Sequence, residues 1–402
     1  IGLQAGKATT GTGVYIGSEA GETSTTSSLT LIGNEAGKLV SGTATGMTAV
    51  GHGASTSASG TYHTMLGFQA GYSTKGNINV GIGYKVLRSG TNATHQSNIA
   101  IGYQTMQGGD YSVTNQDNIA IGVNALRYAS GSSYNVVVGE ALFAQNQEST
   151  QVVAIGYRAL SGATSTAATT AVGHLAARDL TTGDSHTVVG KSAMKAVTTS
   201  SYNTVIGVDA LSEVDGAGST TAVGFGAMKY SSADNATGIG QYALSGATGD
   251  KNAALGNSAG AVAKGSANSV MVGYQAGFHP TGNYNTWMGW KAGYGVEDGA
   301  AHSNVGIGSN ALLNISSGEQ NAVLGYDAGK ALTTGTGSTF VGYQAGESVT
   351  TGDDNVFIGK QAGKNTTGQY NVMIGKGAGS ANTSTNSLVI IGNNAGASNQ
   401  TG

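Results

Sequence analysis

The sequence predicts an all-β protein, a parallel β-solenoid (β-roll) in which short coils stack along one axis. Three observations support this prediction. A motif typified by NVFIGKQAG at residues 355–363 recurs from the start of the chain to its end, glycine accounts for 68 of 402 residues, and charged residues make up only 10%. Chains that repeat a short unit at a fixed period typically stack those units on one another.

A glycine that follows an aliphatic residue marks each repeat. It occurs 24 times from Gly2 to Gly392, which gives a mean spacing of about 17 residues over 23 steps. A coil of this length is too small to bury a core alone, so we expect about 24 stacked coils in one continuous array over residues 1–402. Because the chain begins and stops inside a repeat, we expect the array to be a fragment of a longer polypeptide.

Three apolar or β-branched residues precede each marker glycine, as in Val356, Phe357 and Ile358 before Gly359. Such a run between Asn and Gly is typical of a strand. Alternate strand residues point to opposite faces, and apolar residues on both faces indicate a strand buried on both sides. We expect Val356 and Ile358 to face the coil interior, where Ile358→Asp would cost several kcal/mol. Phe357 is expected to face a neighbouring chain, which predicts an oligomer.

The remaining positions of the repeat also vary in a regular way. Alanine stands three residues after most markers and predicts a tight corner. The position after this alanine is glycine near both chain ends but a larger residue in the middle of the chain, such as Leu126, Leu160 or Met194. This difference predicts a thicker central segment. The polar segment that follows predicts a second strand and turns. Asn stands four residues before the marker in 11 of 23 complete copies. This row predicts an Asn ladder that satisfies turn backbone groups, with ligand binding as the alternative.

Composition and motifs disfavour several classes of function. The net charge is −3 and the basic residues are scattered, so nucleic acid binding is not expected. No apolar run approaches the ~20 residues of a membrane helix. The seven histidines show no metal-ligand spacing and are expected on the surface or in turns, so we expect no metal and no cofactor. Residues 256–260 read GNSAG, but Ser258 occupies a variable turn position, so we expect no catalytic residue and no enzyme.

Aromatic residues recur directly after the marker glycine and are expected mainly to pack between coils. Trp287, Trp290 and Tyr294 form a local concentration beside a long loop at residues 293–302. We expect these three side chains to contact a glycan.

The unit N-[SV]-x-[AV]-I-G-x-x-A resembles the head repeats of trimeric autotransporter adhesins and is similar to repeats of bacteriophage tail fibres. The resemblance covers essentially the whole chain. It implies a left-handed β-roll, a homotrimer, and attachment to a bacterial-surface glycan or a host-surface receptor. The repeats here are longer than those of compact adhesin heads, and no coiled-coil stalk, membrane anchor or chaperone domain is visible.

These observations favour the structural shaft of an extracellular trimeric fibre, on a virion tail or a cell surface, that mediates attachment. Two alternatives remain open at this point. One is a subunit of a self-assembling extracellular filament. The other is a solenoid hydrolase that acts on glycans, which requires clustered carboxylates that the sequence does not suggest.

Overall fold

The computed structural model describes residues 1–40, 42, 44–88, 94–108, 114–129, 131–140, 149–279 and 281–397. The chain divides into two compact units, Ile1–Ser201 and Tyr202–Gly402. Both units are parallel β-solenoids, with about 21 turns of about 17 residues in total and no helix among the described residues. The predicted all-β solenoid is therefore confirmed, with a number of turns close to the 24 predicted coils.

The described part of the first unit contains 13 short strands. They are β1 (Gly13–Ile16), β2 (Leu29–Ile32), β3 (Thr48–Val50), β4 (Thr64–Leu66), β5 (Val80–Tyr84), β6 (Thr94–Gln96), β7 (Ile99–Tyr103), β8 (Thr114–Gln116), β9 (Ile119–Val123), β10 (Val136–Glu140), β11 (Val153–Ile155), β12 (Thr170–Val172) and β13 (Thr187–Val189).

The described part of the second unit contains 12 strands of three residues each. They are β14 (Thr204–Ile206), β15 (Thr221–Val223), β16 (Thr237–Ile239), β17 (Ala253–Leu255), β18 (Val270–Val272), β19 (Thr286–Met288), β20 (Val305–Ile307), β21 (Ala322–Leu324), β22 (Thr339–Val341), β23 (Val356–Ile358), β24 (Val372–Ile374) and β25 (Val389–Ile391).

Within each unit the main strands pair in parallel and in the register of the repeat. Phe357 of β23 lies opposite Phe340 of β22 on one side and Met373 of β24 on the other. In the first unit Ala49 of β3 lies opposite Met65 of β4 in the same way. Equivalent positions of successive repeats therefore form continuous rows along each unit.

The predicted second strand is present only in part. In the first unit β6 and β8 form a separate two-stranded parallel sheet. Isolated parallel bridges, such as the one between Ser165 and Thr182, extend this line of pairing. In the rest of the described chain the segment after the corner forms turns and bends.

The strand residue that enters the coil is the middle one, which corrects the predicted orientation. Phe357 is fully buried at 0% exposure, Val356 is half-buried, and Ile358 is 38% exposed. The residue two positions before the marker glycine is likewise buried in every main-sheet strand from β2 to β24. All three strand residues are apolar, so their hydrophobicity did not distinguish the two faces, and the expected assignment of Val356, Phe357 and Ile358 is wrong.

A second inward row, four residues after each marker glycine, completes the core. Where the middle strand residue is large, this position is glycine, and a Cβ on Gly363 would lie 2.5 Å from Cδ2 of Phe357. Where it is Ala or Gly, the position is leucine or methionine in seven of ten repeats, and Ser55, Ala177 and Gly260 are the exceptions. In one such repeat a Cβ on Gly81 would lie 3.3 Å from Cδ1 of Leu87. Because interiors are close-packed, the two rows share a fixed volume. This complementarity accounts for much of the change of residue type along the chain.

The marker glycines let the backbones of successive coils approach closely. Gly359 has φ of 131°, and a Cβ there would lie 2.6 Å from the carbonyl oxygen of Gly375 in the next coil. Its amide N donates to the carbonyl of Val341 in the previous coil at 2.8 Å. Only glycine combines this backbone angle with this approach. Ala362, at the predicted corner, is fully buried.

Candidate functional site

An exposed apolar surface runs along each unit, and we call it the outer face. It consists of the residues one and three positions before each marker glycine. The residue directly before the marker is Ile, Val, Leu or Met in all 24 copies, whereas the residue three before it is Val, Ile or Ala in 13 of 23 complete copies and Thr in the other ten. Exposed members of that position include Ile16, Leu66, Ile121, Ile155 and Val189 in the first unit and Ile206, Ile239, Leu255, Met288, Leu324 and Ile358 in the second. Soluble monomers rarely expose continuous apolar surfaces of this kind, so the outer face is a candidate interface.

Aromatic rings beside the outer face stack from coil to coil, as expected. In the first unit the successive ring centroids are 5.3, 5.3 and 5.1 Å apart. The rings are those of His52, Phe68, Tyr84 and Tyr103. In the second unit Tyr326 stacks on Tyr343 at 5.4 Å. These are the offset geometries that aromatic pairs prefer, and the stacked rings keep a substantial exposed area.

The three aromatic residues expected to contact a glycan do not share one environment. Trp287 is the middle residue of β19 and is only 1% exposed, with Gly293 and Gly306 leaving room for its ring inside the coil. Trp287 therefore offers no contact surface, and its predicted role is corrected. Trp290, 47% exposed, and the half-buried Tyr294 lie together at the lining of one pocket.

This pocket, which we call the Trp290 pocket, has a volume of about 370 Å³. It is lined by Trp290, Lys291, Tyr294, Asn310, Leu313, Asn314 and Lys330. Three successive repeats supply these residues, at positions one to six after their marker glycines. The sequence prediction considered only aromatic residues and so left out Lys291, the sequence neighbour of Trp290. It missed Lys330 and the two asparagines because the stacking of coils, not closeness in sequence, brings them to the pocket.

Charged groups are concentrated in the lining of the Trp290 pocket. Lys291 Nζ lies 4.7 Å from the ring centroid of Trp290 and 5.2 Å from that of Tyr294, within the range of cation–π attraction. Lys330 Nζ lies 3.6 Å from Oδ1 of the buried Asp327. Asn310 Nδ2 donates to the same Asp327 oxygen at 2.8 Å.

The two aromatic residues of the pocket are supported from the neighbouring coil. Tyr294 stacks on Phe278 with centroids 5.2 Å apart and planes 4° from parallel. Trp290 stacks on Tyr274 at 6.3 Å and 12°. The pocket therefore presents rings with fixed orientations beside two ammonium groups, an arrangement suited to a ligand with an apolar ring face and polar substituents.

The Asn row is internal and does not form a binding surface. Asn304 Nδ2 donates to Asn285 Oδ1 at 3.3 Å and to the carbonyl of Gly318 at 2.8 Å. Asn321 Nδ2 in turn donates to Asn304 Oδ1 at 3.1 Å. These asparagines are buried. The predicted ladder is confirmed, and the alternative that this row binds a ligand is wrong.

Three of the seven histidines are buried, contrary to the expectation that they lie on the surface or in turns. His63 and His186 occupy the position of the Asn row, and His95 lies in β6. Burial, together with a smaller effect of the neighbouring His63, lowers the pKa of His95 to about 4. Burial also lowers the pKa of His63 and of His186. The occupation of an Asn position by histidine was the sequence signal for this burial.

The remaining chemical candidates from the sequence are Ser258, a metal site and a membrane span. The hydroxyl of Ser258 donates to Oδ1 of Asn257 at 2.8 Å, inside the turn of its repeat. In the part of the chain that the structure describes, no group of three or more His, Cys, Asp or Glu residues is arranged to hold a metal ion. Nor do the described residues include a helix of the length and apolarity that a membrane span requires.

The fold and its surface define this chain as a β-solenoid repeat protein with an apolar outer face and an aromatic, cationic pocket. No protein-family model matches the chain, and comparison with curated proteins gave no match.

Proposed function

We propose that the chain is the structural shaft of an extracellular homotrimeric fibre that mediates attachment, with residues 1–402 forming one continuous array. The observation that carries this proposal is the outer face. An aliphatic residue occupies the position before the marker glycine in every copy, although this position faces outward in the single chain. Packing that face against other copies removes it from water and stabilises the assembly.

The internal structure of the chain supports a structural and non-catalytic role. Backbone groups pair with the next coil, the Asn row adds buried side-chain bonds, and the core is filled by two complementary rows. A rigid repeat of this kind is suited to holding a binding site at a distance. The resemblance to adhesin heads and phage tail fibres favours three chains and a location on a virion tail or cell surface.

Light scattering tests the assembly. A homotrimer of 39.7 kDa chains has a mass of about 119 kDa. The double variant Leu324→Asp with Ile358→Asp places two charges on the outer face, and we expect it to lower the association constant. Thr334→Asp with Thr351→Asp is the matched control, because both threonines are exposed and lie in turns of neighbouring coils. A wild-type chain that stays monomeric at high concentration would exclude this function.

Electron microscopy separates the shaft from the filament alternative. Rods of one length support the proposed shaft. Open-ended filaments whose length grows with protein concentration would instead favour a self-assembling polymer.

A further inference from the structure

We propose that the Trp290 pocket binds an acidic carbohydrate, with a carboxylate-bearing sugar unit against the tryptophan ring and its charge beside Lys291. This inference rests on the proposed attachment function and names the class of ligand and its site. Three properties of the pocket carry it: an exposed and supported ring, an excess of positive charge, and an unpaired buried hydrogen-bond acceptor.

The ring of Trp290 is available and held in place. It keeps 47% of its surface exposed, while Tyr274 stacks on it from the preceding coil. The amide N of Asn310 donates to the Trp290 carbonyl at 2.9 Å, which fixes the backbone under the ring. An aromatic side chain fixed in this way provides a flat apolar contact for one face of a sugar with little loss of conformational entropy.

The charges in the pocket do not cancel. Two lysines and no carboxylate are among the described residues that line it, and the neighbouring Asp327 pairs with Lys330 and accepts a hydrogen bond from Asn310. Lys291 makes contacts with Trp290 and Tyr294 but has no ion pair with any carboxylate among the described residues. An anionic group on a ligand would therefore supply the missing partner of Lys291, in a charge-assisted hydrogen bond.

The amide of Asn310 supplies a polar contact in the same pocket. Asn310 is 9% exposed and lines the pocket, and its Oδ1 has no hydrogen-bond partner. Its Nδ2 is held by Asp327, so the amide has a defined orientation. Buried acceptors are nearly always paired in folded proteins. This oxygen is shielded from water in the free chain, and a small shift of the lining side chains on binding would let a hydroxyl group of the sugar donate to it.

Size and position are consistent with a carbohydrate. A volume of about 370 Å³ lies near the lower end of the range of small-molecule sites, which is suitable for one or two sugar units. The lysines and Tyr294 follow the marker glycines, whereas the outer face precedes them. Association through the outer face and binding in the Trp290 pocket thus use different positions of the repeat.

Isothermal titration calorimetry of the full chain with a galacturonic acid hexamer tests the proposal. We expect saturable binding of the acidic hexamer that weakens with added salt. A neutral galactose hexamer should bind more weakly than the acidic one by about tenfold or more. Trp290→Ala and Lys291→Gln should each weaken binding of the acidic hexamer by about tenfold or more. Tyr326→Ala and Lys360→Gln are the matched controls, because they alter an exposed ring and a lysine over a ring outside the pocket.

Several results would overturn the proposal. The proposal fails if the acidic hexamer does not bind, or if the neutral hexamer binds equally well. It also fails if the pocket variants and the control variants lose the same amount of affinity. Circular dichroism of each variant confirms that the solenoid is intact. Repeating the titration with the Leu324→Asp, Ile358→Asp double variant separates the two proposals, because a failure of assembly changes the mass and a failure of the pocket changes only binding.

Discussion

Two adjacent residues of β23 are expected to respond in opposite ways to the same substitution. Phe357→Asp places a charge inside the coil, whereas Ile358→Asp places it on the outer face. The first change should unfold or strongly destabilise the surrounding coils. The second should leave the solenoid folded and reduce association between copies.

The magnitudes follow from the burial of the two side chains. Phe357 is fully buried and stacks on Phe340 with ring centroids 5.1 Å apart. Truncation of a buried phenylalanine costs about 3–5 kcal/mol, and a buried unpaired carboxylate adds to that cost. Ile358 is 38% exposed, so an aspartate there reaches water and should cost about 1 kcal/mol, the span of β-propensity on a strand.

Urea denaturation followed by circular dichroism measures the first effect, and light scattering of the folded protein measures the second. Denaturation at several protein concentrations separates the stability of the chain from the contribution of assembly. If Ile358→Asp lowered the urea midpoint as much as Phe357→Asp at concentrations where the protein is monomeric, the assignment of inner and outer rows would be refuted.

Three further predictions concern the interior. The pKa of His95 is about 4 in the folded chain and about 6.5 in the unfolded chain, so the unfolded state binds more protons between these two pH values. The free energy of unfolding is therefore highest above pH 6.5 and falls by about 3 kcal/mol as the pH drops to 4, which urea midpoints will show. His95→Asn introduces the residue type of Asn115, which lies at the same position of the next coil, and should flatten this pH profile. Gly363→Leu should destabilise the chain through its clash with Phe357, and the added change Phe357→Ala should recover part of the loss in a double-mutant cycle; additive losses would contradict the shared volume. Asn304→Leu should lower the free energy of unfolding by about 3 kcal/mol because its buried ladder partners become unpaired. Asn304→Ser should lower it by less. Equal unfolding midpoints for the two variants would argue against the ladder.

The strands and their spacing could be predicted from the sequence because they depend on local chemistry. The run Val356–Ile358 before Gly359 indicates a short strand and a turn that needs glycine, and both are present. In β23 the direction of each side chain could not be predicted from hydrophobicity, since all three of its residues are apolar. The threonine that stands three positions before the marker in ten of 23 copies was a signal that this row faces outward. A usable signal was the alternation in size between rows, as in Trp287 with Gly293.

The same error explains the partial success at the candidate site. Trp290 and Tyr294 were identified correctly as neighbours, but Trp287 was included because its position was expected to face outward. Lys330 was missed because it lies two repeats after Tyr294, whereas Lys291 stands next to Trp290 in the sequence and was left out because only aromatic residues were considered. Stacking at the repeat spacing brings such residues together, so comparing residues at the same position of successive repeats would have placed Lys330 in one row with Leu313 and Tyr294.

The outer face requires an explanation that folding of a single chain does not supply. The interior is already closed by the middle strand residues and the row four positions after the marker. Three positions before the marker, Thr and Ala replace Val or Ile in many copies, whereas the position directly before the marker remains aliphatic in all 24. A position that is exposed in the single chain would tolerate polar residues at little cost. The invariance within the chain therefore supports the proposed assembly, in which another copy of the chain, with the same repeat spacing, would cover that row coil by coil.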